Sequence, residues 1–121
     1  KRDWGHAKDY VDAAWLMLQQ DKPDDYVIAT GESHSVREFV ELAFNEVGIR
    51  IKWTGQGLDE KGIDVKSGKI LVEINEKYFR PSEVEFLLGD SSKANNDLGW
   101  KRQISFNQLI FEMVQYDLKN N

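Results

Sequence analysis

A chain of 121 residues with a formal net charge of −5 and no cysteine is bounded before any motif is read. At this length it is one domain or part of one, able to bury roughly 65% of its unfolded surface and so to hold a core without metal or disulfide. The acidic balance excludes a general nucleic-acid binder, which needs a basic face to displace counterions, yet leaves room for a local cationic pocket. The absence of cysteine excludes disulfides and thiolate metal sites and fits a reducing cytoplasm.

Two histidines, His6 and His34, are too few and too far apart for a zinc site. There is no apolar run long enough to span a membrane. The chain opens on Lys1 with no charged-then-apolar leader, which reads as a segment cut from a longer protein.

Ala7 to Gln20 carries apolar residues at Val11, Ala14, Trp15 and Leu18, the spacing of one helical stripe, with Pro23 beyond it as a stop. Val27, Ile28 and Ala29 then form a short apolar run ended by Gly31, which predicts a strand buried on both faces. Ser35 and Glu38 have the spacing of a capping box. Val36, Phe39, Val40, Ala43, Phe44 and Val47 recur on one face after it, and Gly48 supplies a left-handed stop. "IRIKWTG" alternates like a strand. Residues 55–68, with four glycines and little periodicity, predict an exposed irregular excursion.

"KILVEI" predicts another strand, and "DSSKANNDLGW" a short helix ended by Gly99. A second capping box, Ser105 with Gln108, opens a last helix whose buried stripe is Phe106, Leu109, Ile110, Met113 and Val114. The order is α/β, with a few short strands and no long parallel sheet, closer to the smaller lobe of a two-lobed enzyme than to a complete doubly wound domain.

Chemical motifs are sparse. Gly55, Gly57 and Gly62 do not make a dinucleotide fingerprint, because the spacing is wrong and no helix pattern follows. A tyrosine and lysine four apart, as in ketone and alcohol redox sites, is absent. The positions four beyond Tyr10, Tyr26, Tyr78 and Tyr116 are Ala14, Thr30, Ser82 and Asn120. Nothing pairs a nucleophile with a base, so no catalytic residue is assigned.

Two stretches suit binding instead. Arg2, at the entrance to the first helix, offers a planar fork of donors for a phosphate, and equally fits a structural link to Asp3 or Asp9. In "RPSEV", Pro81 fits the first turn of a helix, with Arg80 at its mouth and Glu83 one turn inside. That pair could hold a diphosphate and accept from ribose or base; on local grounds alone, an i, i+3 surface pair worth roughly 0.2–0.5 kcal/mol is the better reading. His6, Asp9 and Asp12 read as structural, Trp4 and Trp15 as core, His34 as exposed and without special role, and Arg37 as reaching a neighbouring subunit or nothing.

"KRDWGHAKDYVDAAWLMLQ", "DDYVIATGESHSVREFVELAF", "YFRPSEVEFLLGD", "SSKANNDLGW" and "ISFNQLIFEMV" closely resemble, in order, the C-terminal part of the GDP-mannose 4,6-dehydratase family, within the extended short-chain dehydrogenases/reductases. The resemblance implies that residues 1–121 are the GDP-sugar-binding lobe, an α/β substrate lobe lacking most or all of the Rossmann sheet. It implies an upstream Rossmann lobe that binds NADP and carries the catalytic residues.

The implied reaction converts GDP-mannose to GDP-4-keto-6-deoxy-mannose with loss of water, on the route to GDP-fucose and related deoxysugars. The implied setting is a cytoplasmic lyase, dimeric or tetrameric when complete. Matched position by position, Arg2 and Arg80 fall at the diphosphate and Glu83 at ribose or base, with Tyr78 a weaker contact. Ser82 stands where the family commonly has threonine. The stretch around 55–68 is the least family-like. Another nucleotide-sugar epimerase or dehydratase, or a non-catalytic interaction module, are the alternatives.

Overall fold

The computed structural model describes residues 1–78 and 87–120. Among them the chain runs α1 (Ala7–Leu18), α2 (Val36–Asn45), β1 (Ile51–Thr54), β2 (Lys61–Asp64), β3 (Ile70–Glu73), α3 (Ser92–Leu98) and α4 (Phe106–Asn120). The strands form one antiparallel sheet in the order β1-β2-β3, giving a small α/β fold.

Both capping boxes form. Ser35 Oγ accepts from the Glu38 amide at 3.1 Å and Glu38 Oε1 accepts from the Ser35 amide at 3.4 Å. Ser105 and Gln108 exchange the same pair at 3.2 and 3.0 Å, so each helix start satisfies two amides that have no intrahelical acceptor. Gly48 and Gly99 sit at φ 78° and 68° after α2 and α3, the left-handed stops expected from the sequence.

The first helix forms as predicted but is turned the other way. Ala13 is fully buried and Asp9 nearly so, and Ala13 packs with Ala94 and Leu98 of α3 and with Trp100, flanked by Leu16, Met17, Tyr26 and Ile28. Small residues at the contact bring the two helices close, and long side chains close the sides. The stripe expected to face inward looks out: Val11, Trp15 and Leu18 are 65%, 61% and 81% exposed, so Trp15 is not a core residue.

A second packed region is aromatic. Trp4 stacks on Phe39 of α2 at 4.9 Å, and both tilt against Phe106 at the start of α4. Phe106 and Ile110 are buried, while Met113 of the same stripe is half exposed.

The predicted 55–68 excursion contains the central strand. β2 pairs with β1 from Ile51↔Asp64 to Thr54↔Lys61 and with β3 across a bulge at Gly62/Ile63. Only four residues long, it shows no alternation that local reading could detect; its two neighbours define it. Gly62 is buried, and a Cβ there would press on Trp53, Val72 and Ile51 at 3.1–3.2 Å, which fixes glycine where the flanking side chains close over the strand.

The strand expected at 27–29 is not formed. Residues 23–30 carry no regular structure, Val27 is 55% exposed, and Ala29 is buried. Ala29 lies under Gly89, where any Cβ would collide with its own Cβ.

Candidate functional site

The N-terminal segment is held residue by residue. Arg2 and His34 form an antiparallel bridge, each amide donating to the other's carbonyl at 2.8 Å. Trp4 Nε1 donates to the same His34 carbonyl at 2.9 Å. Asp3 accepts from the Thr30 amide at 3.1 Å, from Thr30 Oγ1 at 2.7 Å and from the Gly31 amide at 3.3 Å.

Gly5 leaves space that the Tyr10 ring occupies; a Cβ there would run into the ring and its hydroxyl. His6 caps α1 by accepting from the Lys8 amide on Nδ1 at 3.0 Å, and its Nε2 meets Glu112 of α4 at 2.7 Å. Its structural role holds. Asp9 is also structural, accepting from the Gln103 and Ile104 amides at 3.1 and 3.0 Å. Asp3 and Asp9, the two carboxylates weighed as partners for Arg2, thus take main-chain donors. Arg2 Nη1 donates to the Lys1 carbonyl at 3.3 Å.

The Leu87 amide donates to the Lys1 carbonyl at 3.0 Å, so Leu87 lies beside the segment carrying Arg2. Arg80, Pro81, Ser82 and Glu83 themselves lie outside the described residues. Tyr78, on their near flank, ends a single 3-10 turn, Glu76–Tyr78. Its ring is 71% exposed, with Lys77 Nζ 5.5 Å from the ring centroid.

His34 overturns its expectation. The ring lies flat on Phe106, centroids 3.9 Å apart and planes 4° from parallel. Nδ1 faces Glu38 Oε2 at 2.8 Å and Nε2 faces Glu32 Oε2 at 3.2 Å. Glu32 Oε1 also accepts from Arg102 Nη2 at 3.1 Å, and Arg102 Nη1 lies 3.1 Å from Glu32 Oε2 as an ion pair.

Burial disfavours the charged imidazole, but the hydrogen bonds it donates to Glu38 and Glu32 outweigh it and raise the His34 pKa above the ordinary 6.5. Glu32 is held down to about 2, first by Arg102 and then by His34. Glu38 is lowered chiefly by its bond to His34. In the sequence, "E-S-H-S-x-x-E" places both carboxylates near His34; Phe106 and Arg102, far along the chain, carry no such signal.

Arg37, expected to contact a neighbouring subunit or nothing, pairs with Glu60 and lies 5.4 Å from the centroid of the Trp53 ring. Among the described residues no group of three or more His, Asp or Glu side chains is placed to hold a metal ion. No helix among them is long and apolar enough to cross a membrane. Gly57 opens a single 3-10 turn, Gly57–Asp59, two residues after Gly55.

The family described as GDP-mannose 4,6 dehydratase matches residues 1–113. The chain belongs to the GDP-mannose 4,6-dehydratase family. Curated relatives of that name agree along nearly its whole length. The protein of Dictyostelium discoideum is 58% identical over 119 residues, covering 98% of this chain and 33% of the relative. Those of Cricetulus griseus and Homo sapiens are 57% and 55% identical, each covering 98% of this chain and 32% of the relative. The chain thus spans about a third of the length of the curated relatives it matches.

Proposed function

We propose that this chain is the substrate-binding portion of a GDP-mannose 4,6-dehydratase, with Arg2 and Arg80 gripping the diphosphate of GDP-mannose and Glu83 accepting from ribose or base. Tyr78 is a peripheral contact at the mouth. The observation that carries this reading is the Leu87–Lys1 backbone bond. Arg80 is seven residue steps from Leu87, so even a fully extended chain keeps it within about 25 Å of Leu87, which is bonded to the Arg2 segment. Two guanidinium groups facing one diphosphate supply bidentate, charge-assisted bonds at a cost an acidic chain can localise.

In the complete enzyme, a lyase, GDP-mannose loses water to give GDP-4-keto-6-deoxy-mannose, and the product feeds deoxysugar synthesis such as that of GDP-fucose. No tyrosine of the chain is followed four residues on by a lysine, so on this reading hydride chemistry belongs to the rest of the enzyme, and these residues bind and orient the nucleotide end of the sugar. The exposed stripe of α1 and exposed Val27 fit packing against that remainder, an NADP-binding Rossmann lobe. The complete protein is a cytoplasmic homo-oligomer, dimer or tetramer.

Isothermal titration of the complete enzyme with GDP-mannose, UDP-glucose and dTDP-glucose tests the assignment. Preference for GDP-mannose is expected; preference for a non-guanine nucleotide sugar overturns it.

A further inference from the structure

We propose that His34 is a positioning residue for the diphosphate end of this site: held as an imidazolium between Glu32 and Glu38, it fixes through its own main chain the segment that carries Arg2. The inference rests on the assignment of Arg2 to the diphosphate. It starts from donor counting. Both ring nitrogens face carboxylate oxygens, at 2.8 and 3.2 Å, and a carboxylate can only accept. A neutral imidazole has one N–H, so one of the two contacts would become a lone pair against an anion. Only the doubly protonated ring satisfies both.

The consequence reaches Arg2 through the backbone. Two 2.8 Å bonds join Arg2 to His34, and the His34 carbonyl also takes Trp4 Nε1. The ring itself is braced by Phe106 of α4. Glu38 belongs to the α2 cap, and Glu32 is anchored by Arg102. Among the described residues, the charged groups at the ring are Glu32 from the preceding loop and Glu38 from α2, with Arg102 bound to Glu32 and Lys1 acting on Glu38. Loss of the proton leaves the two carboxylates without their shared counter-charge and frees the loop to which Arg2 is hydrogen-bonded.

Two measurements test this separately from the nucleotide assignment. In two-bond 1H–15N spectra of the 121-residue chain, with His6→Asn to assign the two rings, both His34 nitrogens should read as protonated at neutral pH. A His34 ring that is neutral there, or titrates at or below the ordinary value, overturns the inference whatever the enzyme binds.

In the complete enzyme, GDP-mannose affinity should weaken as pH rises above the ordinary imidazole value of about 6.5, following the His34 titration. His34→Gln should bind roughly five- to tenfold more weakly, the scale of one net hydrogen bond, with kcat little changed and the pH dependence gone. Glu32→Gln, which leaves the helix cap intact, should shift the midpoint of that pH dependence downward. An imidazolium confirmed by the spectra with affinity indifferent to pH and to His34→Gln removes the positioning role. Failure of Arg2→Ala to weaken binding instead removes the nucleotide reading on which it rests.

Discussion

The carboxylate of Asp9, almost fully buried on α1, takes the main-chain amide of Ile104 at 3.0 Å and that of Gln103 at 3.1 Å. It thereby ties the first helix to the start of the last. The Asp9 carbonyl receives Trp100 Nε1 at 2.9 Å in the same place. Asp9→Ala would leave two part-buried donors without their acceptor and is expected to cost about 2–4 kcal/mol, since hydrogen bonds to charged groups are the strong ones and orphaned amides carry their desolvation cost. Asp9→Asn keeps one acceptor and should cost less. Urea denaturation midpoints of the two variants check the order.

Gly5 and Tyr10 make a steric pair. With a methyl group at position 5 the Tyr10 ring must leave its place, and overpacking of this kind costs about 1–3 kcal/mol. Gly5→Ala should therefore destabilise the chain, and the double variant Gly5→Ala/Tyr10→Ala should be more stable than the sum of the single effects. Additive losses would mean that the ring does not rest on Gly5.

The pH dependence of stability has a definite sign. The His34 pKa is raised in the folded chain, so its contribution is fully present below about 6.5 and disappears as pH rises through the folded value. Glu32, held at about 2, and Glu38, lowered, contribute above the ordinary glutamate range and lose that contribution as pH falls. Stability from this cluster should peak between about pH 4.5 and 6.5. Denaturation midpoints across pH 4–9 should show the alkaline decline in the parent chain and a flatter limb in His34→Gln.

The outward stripe of α1 distinguishes the isolated chain from the complete enzyme. Trp15 and Leu18 are exposed here, so Trp15→Glu should change the stability of the 121-residue chain by no more than about 0.5 kcal/mol, as surface substitutions do. In the complete enzyme, where we propose that the stripe packs against a second lobe, the same change should cost about 2 kcal/mol or more, as a charge at a buried apolar contact does. Equal, small effects in both would leave the stripe solvated.

What the sequence revealed was what sequence neighbours decide. The two capping boxes and the glycine stops at Gly48 and Gly99 depend on residues within one turn, and each formed as read. The orientation of α1 did not follow, because the helix buries its small face, Ala13, against α3, and that partner lies some eighty residues away in the chain. β2 was hidden because "KGID" becomes a strand only between β1 and β3.

"RDWGH" and "RPSEV" were legible as phrases, but the bond that brings Leu87 to Lys1 was not, since it joins residues far apart in the chain. His34 was passed over although both carboxylates stood close by in sequence, because nothing local announces the Phe106 platform or the Arg102 anchor.

The most direct test of the account is a double-mutant cycle on GDP-mannose binding in the complete enzyme, with Arg2→Ala, Arg80→Ala and the pair. Each single change should weaken binding by about 1.5–3 kcal/mol, the scale of a charge-assisted hydrogen bond. The pair should depart from additivity by about 0.5 kcal/mol or more, as residues sharing one ligand group do. Unchanged affinity in either single variant, or strictly additive losses, would contradict a shared diphosphate site.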